Sequence, residues 1–149
     1  MNILVSACLL GAACRYDGRS VPCPALVEAA RRGARLIPFC PEVYGGLPTP
    51  REPAERVGDA VINRAGADVT AQYRRGAEEA LRLCRLFGCE RAILKEKSPS
   101  CGCGRVYDGT FSGKRVPGRG ITAALLAAHG VRLLSSEDID EGQTDGGEG

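Results

Sequence analysis

The 149-residue sequence has no tryptophan, only three phenylalanines and four tyrosines, one methionine and one histidine. Its core must therefore be aliphatic, which suits helices packed on a sheet of Val, Ile and Leu. No basic run is interleaved with aromatics, so base stacking on single strands has little support and nucleic acid is not an expected partner. The one histidine, His129, falls near a helix end away from the cysteine-bearing loops, which argues against a Cys-His or Ser-His triad. No stretch approaches the ~20 apolar residues of a membrane span. Val5-Ser6-Ala7-Cys8 superficially resembles a lipoprotein cleavage box. No basic segment precedes it, however, and the apolar run is too short for a signal sequence. Also missing is any Cys-x-x-Cys pair; the nearest two cysteines, Cys101 and Cys103, are separated by one residue.

What the chain does have is eight cysteines. A cytoplasmic location with reduced thiols is expected, and there clustered cysteines point to metal binding or catalysis rather than disulfides. The net charge of +2 conceals an asymmetry. Glu137, Asp138, Asp140, Glu141, Asp145 and Glu148 crowd the last 13 positions with no Lys or Arg, so the body is distinctly basic.

The elements alternate. Asn2 to Ala7 reads as a buried strand, Pro24 to about Arg32 as a helix stopped by Gly33, and Ala34 to Phe39 as a second strand. Residues 43 to 56 are too punctuated by Gly and Pro for regular structure, and 56 to 64 could form a short strand or hairpin. The best helix spans about Asp68 to Phe87, capped by Asp68 or Thr70, with Tyr73, Ala77, Ala80, Leu81, Cys84 and Phe87 inward. Arg91 to Lys95 is a third strand, and Asp108-Gly109 signals a hairpin. Arg119 to His129 is a helix with Ile121, Ala124, Leu125 and Ala128 inward, and Val131 to Leu134 is a fourth strand. This order predicts one α/β domain over 1–139, a mainly parallel sheet flanked by helices, followed by an acidic, Gly-rich, disordered tail over 140–149.

In an open α/β sheet, the loops at the carboxyl ends of strands carry the chemistry. Cys8, Cys40 and Cys101 each follow a predicted strand. Three convergent thiolates leave three readings open. Zinc usually takes tight knuckles, which are absent. Thiol redox or sulfur relay usually takes a Cys-x-x-Cys, also absent. A cubane iron–sulfur cluster normally has four cysteines; three would leave one iron open as a Lewis acid. Cys14 and Cys103 could complete or exchange with the set. Glu42 lies two residues beyond Cys40 and is a candidate acid or base. Ser98 and Ser100 could bind substrate or simply close their turn. Gly118-x-Gly120-x-x-Ala123 imitates a dinucleotide fingerprint but follows no clear strand, although its helix amino terminus could face the crevice.

Three spaced motifs carry a resemblance. Ser6-Ala7-Cys8-Leu9-Leu10-Gly11 with Arg15-Tyr16-Asp17-Gly18, then Cys40-Pro41-Glu42 with Gly46-Leu47-Pro48 and Pro50-Arg51, then Lys97-Ser98-Pro99-Ser100-Cys101-Gly102 resemble the 2-thiouracil desulfidase family. The resemblance reaches to about Asp140. It implies a Rossmann-like fold and a 4Fe-4S cluster held by Cys8, Cys40 and Cys101, with Glu42 and Ser98 in the active site. The implied activity is hydrolytic removal of sulfur from a small thiolated base, 2-thiouracil to uracil and sulfide. The substrate sulfur would bind the iron that no protein residue holds, and Glu42 would activate water. A thiocarbonyl sulfur is soft and suits such an iron. Lys95, Lys97 or Arg15 could offset the anionic site. Thiolated nucleosides or tRNA stay open as substrates, and a non-enzymatic zinc or thiol module stays open as the alternative class.

Overall fold

β1 (Asn2–Ser6), β2 (Arg35–Phe39), β5 (Arg91–Leu94) and β8 (Arg132–Ser135) form one parallel sheet in the order β2-β1-β5-β8. The computed structural model describes residues 1–96 and 98–139; Lys97 and the tail expected to be disordered lie outside the described residues. Register runs Ile3↔Leu36 and Val5↔Pro38 on one side of β1, and Leu4↔Ala92 on the other. The strand period of two then sorts the apolar residues between faces. Leu4, Ala92 and Leu94 join one core with Ala80, Cys84, Ala123 and Leu126, while Ile3, Val5 and Ile93 join another with Leu9, Leu26 and Ile139.

Helices α3 (Thr70–Leu86) and α4 (Ile121–Ala128) therefore cover one face, and α1 (Pro24–Arg31) and α5 (Ser136–Ile139) cover the other. This is the α/β arrangement expected from the element order. None of the helices among the described residues is long and apolar enough to cross a membrane.

The connections leave the sheet in opposite directions at β1. The chain passes from β1 outward to β2, then crosses back to β5 on the other side. Such a reversal opens a crevice outside the carboxyl ends of the strands. β1 gives way there to a 3₁₀ turn, Ala7–Leu10, not to the further strand residue expected at Ala7. Gly11, with φ 105°, takes the left-handed conformation that turns the chain out of it.

Several expectations are corrected. Residues 43 to 56 are not wholly irregular: α2 (Pro41–Tyr44) and β3 (Ala54–Val57) bound the segment. β3 pairs antiparallel with β4 (Ala60–Asn63), giving the hairpin expected near 56 to 64. The Asp108-Gly109 hairpin is longer than a tight turn, joining β6 (Arg105–Tyr107) to β7 (Arg115–Pro117). Neither Asp68 nor Thr70 is the N-cap of α3. Val69 occupies that place, and the Asp68 carboxylate takes the Thr70 N–H at 2.9 Å. Phe87 is exposed just past the helix end. In α4 the buried face is Thr122, Ala123 and Leu126. The helix is apolar almost all round, so its sequence period could not choose a face; a polar contact of Thr122, described below, does.

α2 is seated on α3 by two glycines. A Cβ on Gly76 would overlap the Pro41 carbonyl, and one on Gly45 would overlap the Gln72 carbonyl. Alanine is the better helix former by about 1 kcal/mol, but a backbone clash costs about 1–3 kcal/mol or more. Gly76→Ala is therefore expected to destabilise the protein by roughly 1–2 kcal/mol net, read as a lower urea midpoint. A rise in the midpoint would show that helix propensity wins and that the two helices are not held at contact.

Candidate active site

Cys8, Cys40 and Cys101 all line one cavity of about 240 Å³ at the carboxyl ends of β1, β2 and β5. Glu42 and Ser98 line it too. The structure thus brings Cys8, Cys40, Cys101, Glu42 and Ser98 to one cavity. The cavity lies near the small end of ligand pockets, roughly 300–1,000 Å³.

Each cysteine is placed by backbone hydrogen bonding. Cys8 lies in the 3₁₀ turn, and its carbonyl accepts from Gly11 and Val21. Cys40 is the N-cap residue of α2. Around Cys101, the Ser98 Oγ accepts the N–H groups of Ser100 (3.0 Å) and Cys101 (3.1 Å). The fully buried Ser100 hydroxyl meets Thr122 Oγ1 at 2.8 Å, so Ser100 is a brace and not a substrate contact. The first N–H groups of α4 donate to the Pro99 and Ser100 carbonyls. That occupies the helix amino terminus, which the sequence had left as a possible anion site.

Electrostatics set the thiols apart. Burial pushes the Cys8 thiol up to about 11, partly offset by Lys95 and Arg15. Burial also raises Cys101, against a hydrogen bond with Ser6 that favours the thiolate. Cys40 is lowered because the Cys14 thiol hydrogen-bonds to it, and Cys14 is raised for the same reason. Cys8, Cys40 and Cys101 feel one another's charge. Burial with mutual repulsion makes a set of thiolates costly unless cations neutralise it.

Of the two spare cysteines, only Cys14 reaches the cavity. Cys103 is held by Glu96, which accepts its N–H at 3.1 Å and its thiol at 3.6 Å. Cys23, Cys84 and Cys89 are buried core residues. His129 meets Arg85 at 2.9 Å, outside the cavity lining, as its sequence position suggested.

Glu42 has partners that sequence reasoning missed. Arg51 donates to Glu42 Oε1 through Nε and a terminal nitrogen, both at 2.8 Å, and the same guanidinium reaches the Cys14 carbonyl. The buried Tyr73 hydroxyl lines the same cavity, where burial and the Glu42 charge raise its pKa. Glu42 Oε2 lies 3.5 Å from Ser98 Oγ, at the outer limit of hydrogen bonding. One carboxylate oxygen is thus clamped and the other is loosely held. Two signals could have found these residues. Arg51 is the basic residue of a quoted motif, and Tyr73 is the one hydroxyl in the apolar stripe of α3, needing a partner once buried. Ser6 was likewise visible only as part of a motif; its hydroxyl accepts the Lys95 N–H at 3.0 Å, tying β1 to β5 beneath the cysteines.

Among the described residues, no group of three or more His, Cys, Asp or Glu is arranged to hold a single metal ion. A cubane asks something different, because each thiolate takes its own iron at a separate corner. Three soft donors spaced around one cavity, from three elements, fit that demand better than they fit one tetrahedral zinc.

Comparisons with known proteins place the chain among its relatives. The family model described as 2-thiouracil desulfurase matches residues 3–138. The uncharacterized protein YbbK of Bacillus subtilis (strain 168) is 40% identical over 149 residues, covering 93% of this chain and 98% of that protein. A solved structure of the 4Fe-4S-dependent thiouracil desulfidase TudS is 51% identical, with a TM-score of 0.88, over 94% of this chain and 93% of the other. The family match over nearly the whole described chain, together with these two relatives, places this protein in the 2-thiouracil desulfurase family.

Proposed function

We propose that the protein is a 4Fe-4S-dependent desulfidase acting on a small thiolated pyrimidine base, with 2-thiouracil plus water giving uracil plus hydrogen sulfide. The observation that carries this is the convergence of Cys8, Cys40 and Cys101 on one small cavity that also holds Glu42 and Ser98. Cys8, Cys40 and Cys101 would hold the cluster. When bound, the cluster supplies an iron with an open position that attracts a soft thiocarbonyl sulfur and polarises the C–S bond.

The chain's own residues do the rest. Arg51 fixes the Glu42 carboxylate through Oε1, so that Oε2 faces the space beside Ser98. Glu42 Oε2 takes a proton from water as the water attacks the ring carbon. Ser98 keeps the Cys101 loop closed through its two N–H contacts and offers its hydroxyl near the same oxygen. Lys95 and Arg15 act on Cys8 in the direction that favours thiolate. They help offset the negative charge of the loaded site.

Anaerobic purification followed by iron, acid-labile sulfide and zinc analysis tests the cofactor. Near-equal iron and sulfide at about four each per chain is expected. Stoichiometric zinc without iron or sulfide would identify a zinc protein instead.

A further inference from the structure

We propose that Phe111, with Arg64 over its ring, is the platform on which the planar ring of the substrate stacks, and hence the residue that selects for a ring. This deepens the thiopyrimidine reading above and rests on it.

The cavity has two kinds of wall. The sheet side carries the thiols and Glu42. Other lining comes from the hairpin segments and includes Arg64 and Phe111. Among the described residues, Phe111 is the one non-glycine with a positive φ, at 57°. That conformation is rare for a bulky side chain, and it persists only where surrounding contacts enforce it. The enforcing contact is Glu55. Its carboxylate is buried and accepts the N–H groups of Gly109 at 2.9 Å and Phe111 at 3.1 Å. The Arg64 guanidinium lies 5.6 Å from the centre of the Phe111 ring. An aromatic face and a guanidinium plane are the two protein surfaces on which a nucleobase stacks.

Other aromatics in the lining have different work. Tyr73 and Phe39 are buried, and Tyr107 is held in β6 opposite Arg115. Tyr16 stands largely exposed under Arg15. Phe111 is the ring for which the fold maintains an unfavourable backbone, and it faces the cavity rather than the core. A ring held there fixes the plane of a substrate whose sulfur is drawn toward the cysteines.

The test uses cluster-loaded protein without oxygen. Phe111→Leu is expected to raise KM for 2-thiouracil about tenfold or more while leaving kcat within about twofold, the range set by base–aromatic stacking. Phe111→Tyr keeps the ring and is expected to stay near wild type in both. An unchanged KM in Phe111→Leu would overturn the proposal, and so would equal KM increases in the Leu and Tyr variants, which would indict the loop and not the ring. Because the chain has no tryptophan, Phe111→Trp also gives a single fluorophore at the proposed contact. Saturable quenching by uracil is expected. If wild type fails to desulfurate 2-thiouracil yet uracil quenches Trp fluorescence saturably, the platform stands and the desulfidase reading falls. Turnover by wild type with no quenching in that variant would do the reverse.

Discussion

Cys40→Ser is expected to emerge from anaerobic reconstitution with little iron or acid-labile sulfide, and Cys8→Ser and Cys101→Ser should behave alike. A serine oxygen is a harder donor than thiolate and holds iron in a cluster poorly. Losing even an outer partner of a metal ligand typically costs about 10–100-fold in affinity or activity, and losing the ligand itself should cost more. Cys84→Ser and Cys89→Ser are controls, since both residues are packed in the core away from the cavity lining. Cys14 needs its own arm because it contacts Cys40. Cys14→Ser alone should keep the cluster. The Cys14→Ser/Cys40→Ser pair should be no better than Cys40→Ser. A full, stable cluster in that double variant would remove Cys40 from the ligand set.

Glu42→Gln is the second large effect expected. It should keep the cluster and bind substrate but lose turnover by about 10²–10⁴-fold, the usual worth of a general base. The competing account makes Glu42 only the partner of Arg51. Both side chains are largely buried, at 14% and 6% exposure, so breaking their pair matters. Leaving a buried charge without any partner costs ~3–5 kcal/mol, but glutamine keeps an oxygen for Arg51 and should cost less. The two accounts therefore separate cleanly. A brace predicts a lower urea midpoint with turnover nearly intact; a base predicts the opposite pattern. Near-wild-type turnover in a Glu42→Gln protein with full iron content would pass the water-activating role to another group, with Ser98 next in reach.

The site's skeleton was legible because it follows from local patterns. Three apolar strands ended in cysteines, and parallel topology brings such ends to one edge. What surrounds the cysteines was not legible in that way. Arg51 reaches Glu42 from beyond a Gly/Pro-rich stretch, and Tyr73 comes to the same cavity from a helix whose period marked it only as core. Phe111 depends on Glu55, which is 56 residues away in the chain. Long-range side-chain pairings of this kind leave no period behind. The inward face of α4 was misread for a related reason: its apolar residues run nearly all round, and Ser100 fixes the face by bonding Thr122. The amino terminus of α4 looked available to a ligand for want of the same information, since its N–H groups are taken by Pro99 and Ser100.

Desulfuration by the loaded protein is the central claim, and product stoichiometry measures it most directly. Anaerobically reconstituted protein is incubated with 2-thiouracil, and uracil and sulfide are quantified together. The account predicts multiple turnovers, uracil and sulfide in equal amounts, and no activity from cluster-free protein. Turnover by cluster-free or zinc-loaded protein, or no turnover from protein carrying its full iron and sulfide, would contradict it.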